Sequence, residues 1–167
     1  MSVGEPVVGR PAVVLVPVTR DNWREAIALR VRPDQEVFVP SVAVSLAKVA
    51  IRPDGPDEDY RSFGVMAEGA MVGFGQLIGQ FGRSETLWIG GFLVDARFQG
   101  RGFGGSALDD FVALARREPG CRLVGLTVEP HNAHAIRLYA SRGFQPTGAV
   151  YDGELVHLLA LAPAVTQ

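Results

Sequence analysis

The chain predicts a mixed α/β (α+β) fold: one mostly antiparallel central sheet of about six to seven strands, flanked by four helices, around a β-α-β core. Three observations lead there. The strand-like runs Arg61 to Glu68 and Met71 to Ile78 are joined by Glu68-Gly69-Ala70, a hairpin signal. The run Thr86 to Val94, the helical-period segment Gly102 to Arg117 and the nearly all-apolar run Arg122 to Val128 form a β-α-β unit whose strands should run parallel. Two further strand-like runs, Phe144 to Val150 and Glu154 to Leu161, close the chain.

Taken in order, residues 1–10 mix Gly, Pro and Val without periodicity and read as a flexible tail, leaving 11–163 as a single domain. Ala12 to Val16 is a β-branched run closed by Pro17, the first strand. Thr19 and Asp21 offer N-caps for a helix through Trp23, Ile27, Leu29 and Arg30. The two prolines between Arg32 and Pro40 make a loop, and Ser41 caps a second helix, Val42 to Val49. Residues 52–59 are turn-formers and acids on the surface. Gly90-Gly91 interrupts the third strand of the hairpin region, where glycine marks a bulge or a ligand approaching the backbone. Phe103, Ala107, Leu108, Phe111, Val112 and Leu114 recur at helical spacing until Pro119-Gly120. The apolar strand that follows should be covered on both faces. A last helix, Ala133 to Arg142, ends at Gly143.

Composition narrows the function. A formal charge of -2 lacks the basic excess of a chain that tracks nucleic-acid phosphates. No apolar run approaches the roughly 20 residues that span a bilayer, so no membrane partner is expected. Cys121 is the only cysteine, which excludes an internal disulfide and, with no secretion signal at the N-terminus, points to the cytoplasm.

The densest signal is Asp95-Ala96-Arg97-Phe98-Gln99-Gly100-Arg101-Gly102-Phe103-Gly104-Gly105. Gly100, Gly102 and Gly104 let successive N–H groups face one point. Those amides run on into the unpaired donors of a helix N-terminus, which favours an anion. Arg97 and Arg101 add positive charge, completing a phosphate cradle. Gly100, Gly102 and Gly105 also satisfy the dinucleotide pattern G-x-G-x-x-G, with Glu129 ending the next strand. Against that reading, Asp95 to Gln99 intervene between strand and first glycine, and a hairpin precedes the unit. A Walker A loop fails for want of Gly-Lys-Ser/Thr.

Phe92-Leu93-Val94 followed by Gln99-Gly100-Arg101-Gly102-Phe103-Gly104 resembles the coenzyme A signature of the GCN5-related N-acetyltransferase (GNAT) family, Gln/Arg-x-x-Gly-x-Gly/Ala. A second block resembles the family too: Leu126-Thr127-Val128, Asn132, Ala135, Leu138-Tyr139 and Gly143-Phe144. The resemblance implies the GNAT fold with a β-α-β acetyl-CoA-binding core, and acetyl-CoA as co-substrate with no metal. It assigns Phe92 to Val94, Gln99 to Gly104, Asn132 and Tyr139 to the coenzyme, and implies direct acetyl transfer without an acyl-enzyme. A homodimer is one assembly it leaves open.

Asn132 and Tyr139 stand seven residues apart, two turns along one helix face, where they could line an elongated ligand. Taken singly, each also reads as a cap and a core aromatic. Amine attack on a thioester needs a deprotonated amine, a donor for the oxyanion and an acid for the thiolate. Tyr139 suits the acid, the role such a tyrosine commonly has in the family, and a backbone N–H near Phe92 to Val94 suits the donor. For a base or a substrate contact the candidates are Glu36 in the loop before the second helix, Glu68 at the hairpin tip and Glu85. His131, His134 and His157 read as structural.

Leu29-Arg30-Val31, Gln35 to Val39 and Ser41 to Ala47 look like the entry segment of bacterial spermine/spermidine acetyltransferase-type members, which often carry an asparagine where this chain has Val42. Asp34, Glu36, Asp54, Asp57, Glu58 and Asp59 would attract a cationic polyamine. An amino acid, an aminoglycoside or a protein N-terminus remains an alternative acceptor, and a non-catalytic acyl-CoA sensor or a dinucleotide-dependent oxidoreductase an alternative function.

Overall fold

The computed structural model describes residues 9–163, and the expected tail therefore lies outside the described residues except for Gly9 and Arg10. Arg10 is not loose: its guanidinium pairs with Asp109 at 3.0 Å and Asp110 at 2.6 Å. Seven strands make one sheet: β1 (Val14–Pro17), β2 (Asp59–Ala67), β3 (Ala70–Gly79), β4 (Thr86–Val94), β5 (Leu123–Val128), β6 (Gln145–Tyr151) and β7 (Glu154–Ala160), in spatial order β1-β2-β3-β4-β5-β7-β6. Four helices flank it: α1 (Trp23–Ala28), α2 (Val42–Ile51), α3 (Phe103–Arg116) and α4 (Ala133–Ser141). Two single 3-10 turns, Pro33–Gln35 and Ala96–Phe98, add to what the sequence predicts.

Every neighbouring pair is antiparallel except β4 with β5. The parallel pair is short. Thr86, Leu87 and Trp88 face Leu123, Val124 and Gly125, and beyond them the two strands share no register. The sheet therefore splays open from Ile89 onward, since β4 stays with β3 and β5 stays with β7. On the β3 side, the register of β4 shifts between Phe74 and Gln76, opposite Gly91 in a left-handed conformation (φ 59°). The bulge expected at Gly90-Gly91 is present.

One core lies between the sheet and α3 and α4, with Phe111, Leu108, Leu87, Val124, Leu126 and Phe144 buried in it. Phe111 reaches the sheet because Gly75 has no side chain; a Cβ there would stand 2.6 Å from its ring. A smaller core under α1 and α2 holds Ala26, Leu29, Val42 and Phe74.

Local expectations fail in instructive places. The first helix stops at Ala28 because Leu29 is already extended, and its cap position is Asn22 rather than Thr19 or Asp21. The Asn22 carboxamide serves the preceding turn, accepting from the Thr19 amide and donating to the Pro17 carbonyl. Ser41 does cap α2, accepting from the Val44 amide at 3.3 Å.

Candidate active site

A cavity of about 1270 Å³ runs along the gap between β4 and β5 and out over the open face of the sheet. One end is made mostly of backbone. Phe92, Leu93, Val94, Gln99, Gly100 and Gly104 line it, as do Gly102 and Phe103. The Asp95 amide donates to the Val72 carbonyl at 2.8 Å, fixing which way β4 amides point. By strand alternation Leu93 turns toward β3, while Val94 and Phe92 turn their N–H groups toward the gap.

Gly100 and Gly102 are left-handed, at φ 76° and 83°. Nothing lies within 4 Å of where a Gly100 Cβ would stand, so the turn presents bare main chain. Gly102 is also the N-cap of α3, and no side chain caps the helix. The first amides of α3 are left for a ligand, with the helix dipole behind them. Gly105 has a different reason: the Arg142 guanidinium packs where its Cβ would be, 2.3 Å away.

The two arginines expected at the cradle are engaged elsewhere, and neither lines the cavity. Arg97 pairs with Asp95 at 2.8 Å and Arg101 with Glu68 at 2.7 Å. Asp95 is 3% exposed and accepts from the Arg30 and Arg97 amides, each at 3.0 Å. Burial works to raise its pKa, but the Arg97 guanidinium and the two amides outweigh it, so the carboxyl is held below the usual range. Asp95 thus ties the end of β4 to the end of α1. Gln99 ties the loop further, donating to the Val94 carbonyl at 2.9 Å and exchanging amide hydrogen bonds with Gln35. No sequence signal announces that 64-residue link.

On the α4 side, Asn132 and Tyr139 both line the cavity, as their spacing predicts. Asn132 also caps α4, its Oδ1 accepting from the Ala135 amide at 3.2 Å, which leaves its Nδ2 for another partner. Tyr139 is 8% exposed, against Phe144 with ring centroids 6.1 Å apart. Burial, and then the nearby charge of Glu154, pushes its pKa up to about 12. The phenol therefore keeps its proton at neutral pH.

The other end of the cavity is built from side chains. Trp88 lies flat over Gly125, where a Cβ would meet its ring at 2.5 Å, and with Ile78 and Val156 makes an apolar floor. Asp54, Glu58, Asp152 and Glu154 contribute acid and Lys48 a cation, and Thr127, Tyr151 and, on α4, His134 also line the cavity. Glu58 accepts from Gln80 at 3.0 Å. Asp54 accepts hydrogen bonds from the hydroxyls of Tyr60 and, at 3.2 Å from across the cavity mouth, Tyr151. Burial first, then Asp54, raises the Tyr60 phenol to about 12.

Of the acids singled out in the sequence, only Asp54 and Glu58 reach this lining. Glu36, Glu68 and Glu85 do not: Glu36 is exposed on its loop, Glu68 sits in the hairpin turn against Arg101, and Glu85 faces Arg122 at 3.7 Å. Asp152, Glu154, Trp88 and Thr127 also line the cavity, though the sequence assigns none of them a role there; one signal is present. A threonine inside an apolar strand meant to be covered on both faces marks a place where one face is open.

Residues 22–144 match the acetyltransferase (GNAT) family, and the chain belongs to it. It is an acetyl-CoA-dependent N-acetyltransferase. Among its relatives is the spermine/spermidine N(1)-acetyltransferase of Bacillus subtilis, 30% identical over an alignment of 146 residues, with 83% of this chain and 92% of that protein covered. Solved structures that share the fold include two with coenzyme bound. The spermidine N-acetyltransferase of Vibrio cholerae, in complex with CoA and spermine, superposes with a TM-score of 0.62 at 18% identity, covering 89% of this chain and 95% of that one. A GNAT acetyltransferase from Elizabethkingia anophelis with acetyl-CoA bound gives 0.63 at 15%, covering 89% and 98%. Among the described residues no helix is long and apolar enough to cross a membrane, and no cluster of side chains could hold a metal ion.

Proposed function

We propose that the protein transfers the acetyl group of acetyl-CoA directly to a primary amine of an aliphatic polyamine, within a ternary complex. The observation that carries this reading is one continuous cavity with a main-chain anion site at one end and an acid-rimmed apolar floor at the other. The left-handed glycines and the uncapped N-terminus of α3 fit a pyrophosphate, because no Cβ or carboxylate stands before their amides. The volume exceeds the roughly 300–1,000 Å³ of an ordinary small-molecule pocket, as a coenzyme plus acceptor requires.

Gly100, Gly102 and Gly104 would hold the diphosphate, and Asn132 Nδ2 with the edge of β4 the pantetheine arm. The outward amides of Phe92 and Val94 are pre-aimed donors for the oxyanion, needing no reorganisation as charge develops. Tyr139 holds a proton at neutral pH and gives it to the departing sulfur. At the other end, Asp54, Glu58 and Asp152 attract ammonium groups while Trp88 and Ile78 pack against methylenes. The Bacillus relative's name supports this acceptor class.

Lys48 favours a second reading. It is the chain's only lysine, it lines the same cavity, and it would suit an amine that also carries a carboxylate. Thiol release from acetyl-CoA, measured with spermidine, spermine, free amino acids and an aminoglycoside, separates the two. Turnover on spermidine or spermine at least tenfold above the others is expected, and preference for an amino acid would replace the polyamine reading.

A further inference from the structure

Glu154 lines the cavity from a position no sequence motif marks. In β5, Val124, Leu126 and Val128 point into the core under α3 and α4. Alternation therefore puts Thr127 on the opposite face. Thr127 pairs with Val156 in the register of β5 with β7, so Glu154, two residues from Val156, shares that face. The Thr127 hydroxyl donates to Glu154 Oε2, which leaves Oε1 without a protein partner among the described residues. Both side chains line the cavity, and both are only half-buried. Tyr139 approaches from the other face, where it packs in the α3 and α4 core, yet it lies close enough to feel the Glu154 charge.

Resting on the acetyl-transfer reading above, we infer that Glu154 is the catalytic base that receives the acceptor's ammonium proton, and that Thr127 is its positioning residue. The splayed sheet then separates two proton transfers by face. Glu154 takes one proton from the ammonium and passes it to solvent. The neutral amine forms its N–C bond to the thioester carbonyl as the C–S bond breaks. Tyr139 protonates the leaving sulfur and recovers the second nitrogen proton. One amide, one thiol and one released proton result, and no other reactant is needed. The other charged or titratable groups facing the same cavity are Lys48 on α2, Asp54 and Glu58 before β2, His134 on α4, and Tyr151 and Asp152 at the β6–β7 turn. None is hydrogen-bonded to Glu154.

The test is the pH profile of kcat/KM with spermidine for the full chain, its Glu154→Gln and Thr127→Val variants, and the conservative Thr127→Ser. Acetyl-CoA affinity by calorimetry serves as the folding control. Glu154→Gln is expected to lose about 10²-fold at pH 7, the scale of general base catalysis. Its acid limb should move toward the free ammonium's own titration, so that alkaline pH restores much of the rate while coenzyme affinity is kept. Thr127→Val should reproduce part of that shift and Thr127→Ser should cancel it. A Glu154→Gln profile parallel to wild type overturns the assignment while leaving acetyl transfer intact. A wild-type chain that acetylates no amine sinks both.

Discussion

The two ends of the cavity are made of different material. At one end the lining is mostly main chain, from Gln99, Gly100 and Gly102 to Gly104 in one loop and from the edge of β4, where Phe92 and Val94 turn their amides toward the gap. At the other end the groups are side chains from segments far apart in the chain: α2 and the loop after it, β3, β4, β5, the β6–β7 turn and β7. A backbone site needs only a chain that can turn, so glycine spacing defines it. A side-chain site needs distant strands in register, so its members carry no shared local pattern.

The sharpest way to break that contrast is Gly102→Asp. It forces a left-handed φ of 83° on a residue with a Cβ 3.2 Å from Pro11 and sets a carboxylate before the α3 amides. Strain and like-charge repulsion together predict a roughly 10³-fold loss of acetyl-CoA affinity, read by calorimetry; binding within tenfold of wild type would refute a main-chain cradle. Tyr139→Phe keeps the ring and its packing but removes the proton. It should lower kcat about 10²-fold with the coenzyme Kd nearly unchanged, and an equal loss in both would make Tyr139 a binding residue instead.

Asp95 tests whether the backbone end depends on one buried anchor. Asp95→Asn weakens the tie to the Arg30 and Arg97 amides and should cost about 1–3 kcal/mol in denaturant unfolding. Because the folded carboxyl is held below its unfolded value, its contribution is full above about pH 4 and fades as pH falls through the folded value. The variant should therefore show a flatter acid limb of stability. The smallest effects belong to the rim. Asp54→Asn and Glu58→Gln should each raise the KM for spermidine only about two- to fivefold, as partly screened charges do, and the effect should shrink with added salt. An effect confined to kcat would move these acids out of the binding rim.

The same division explains how much could be read beforehand. The glycine loop, the amphipathic α3, the hairpin around Glu68-Gly69 and the helix spacing of Asn132 and Tyr139 are all local patterns, and the structure has them where the spacing predicts. For Arg97 and Arg101, residue type reveals charge but not partner; in the structure they pair with Asp95 and Glu68. Glu36, in the loop before the second helix, and Glu68, at the hairpin tip, do not reach the cavity.

By itself, then, the amino-acid order determined the element sequence, the parallel crossover and the glycine-rich turn before α3, because each depends on residues within a few positions of one another. Tertiary structure alone decided that β4 and β5 part after Trp88 and Gly125, that Thr127 and Glu154 share the open face, and that Asp54 meets Tyr151 across 97 residues. Those facts depend on strand order and register, which arise when the whole sheet is assembled and its two cores are filled.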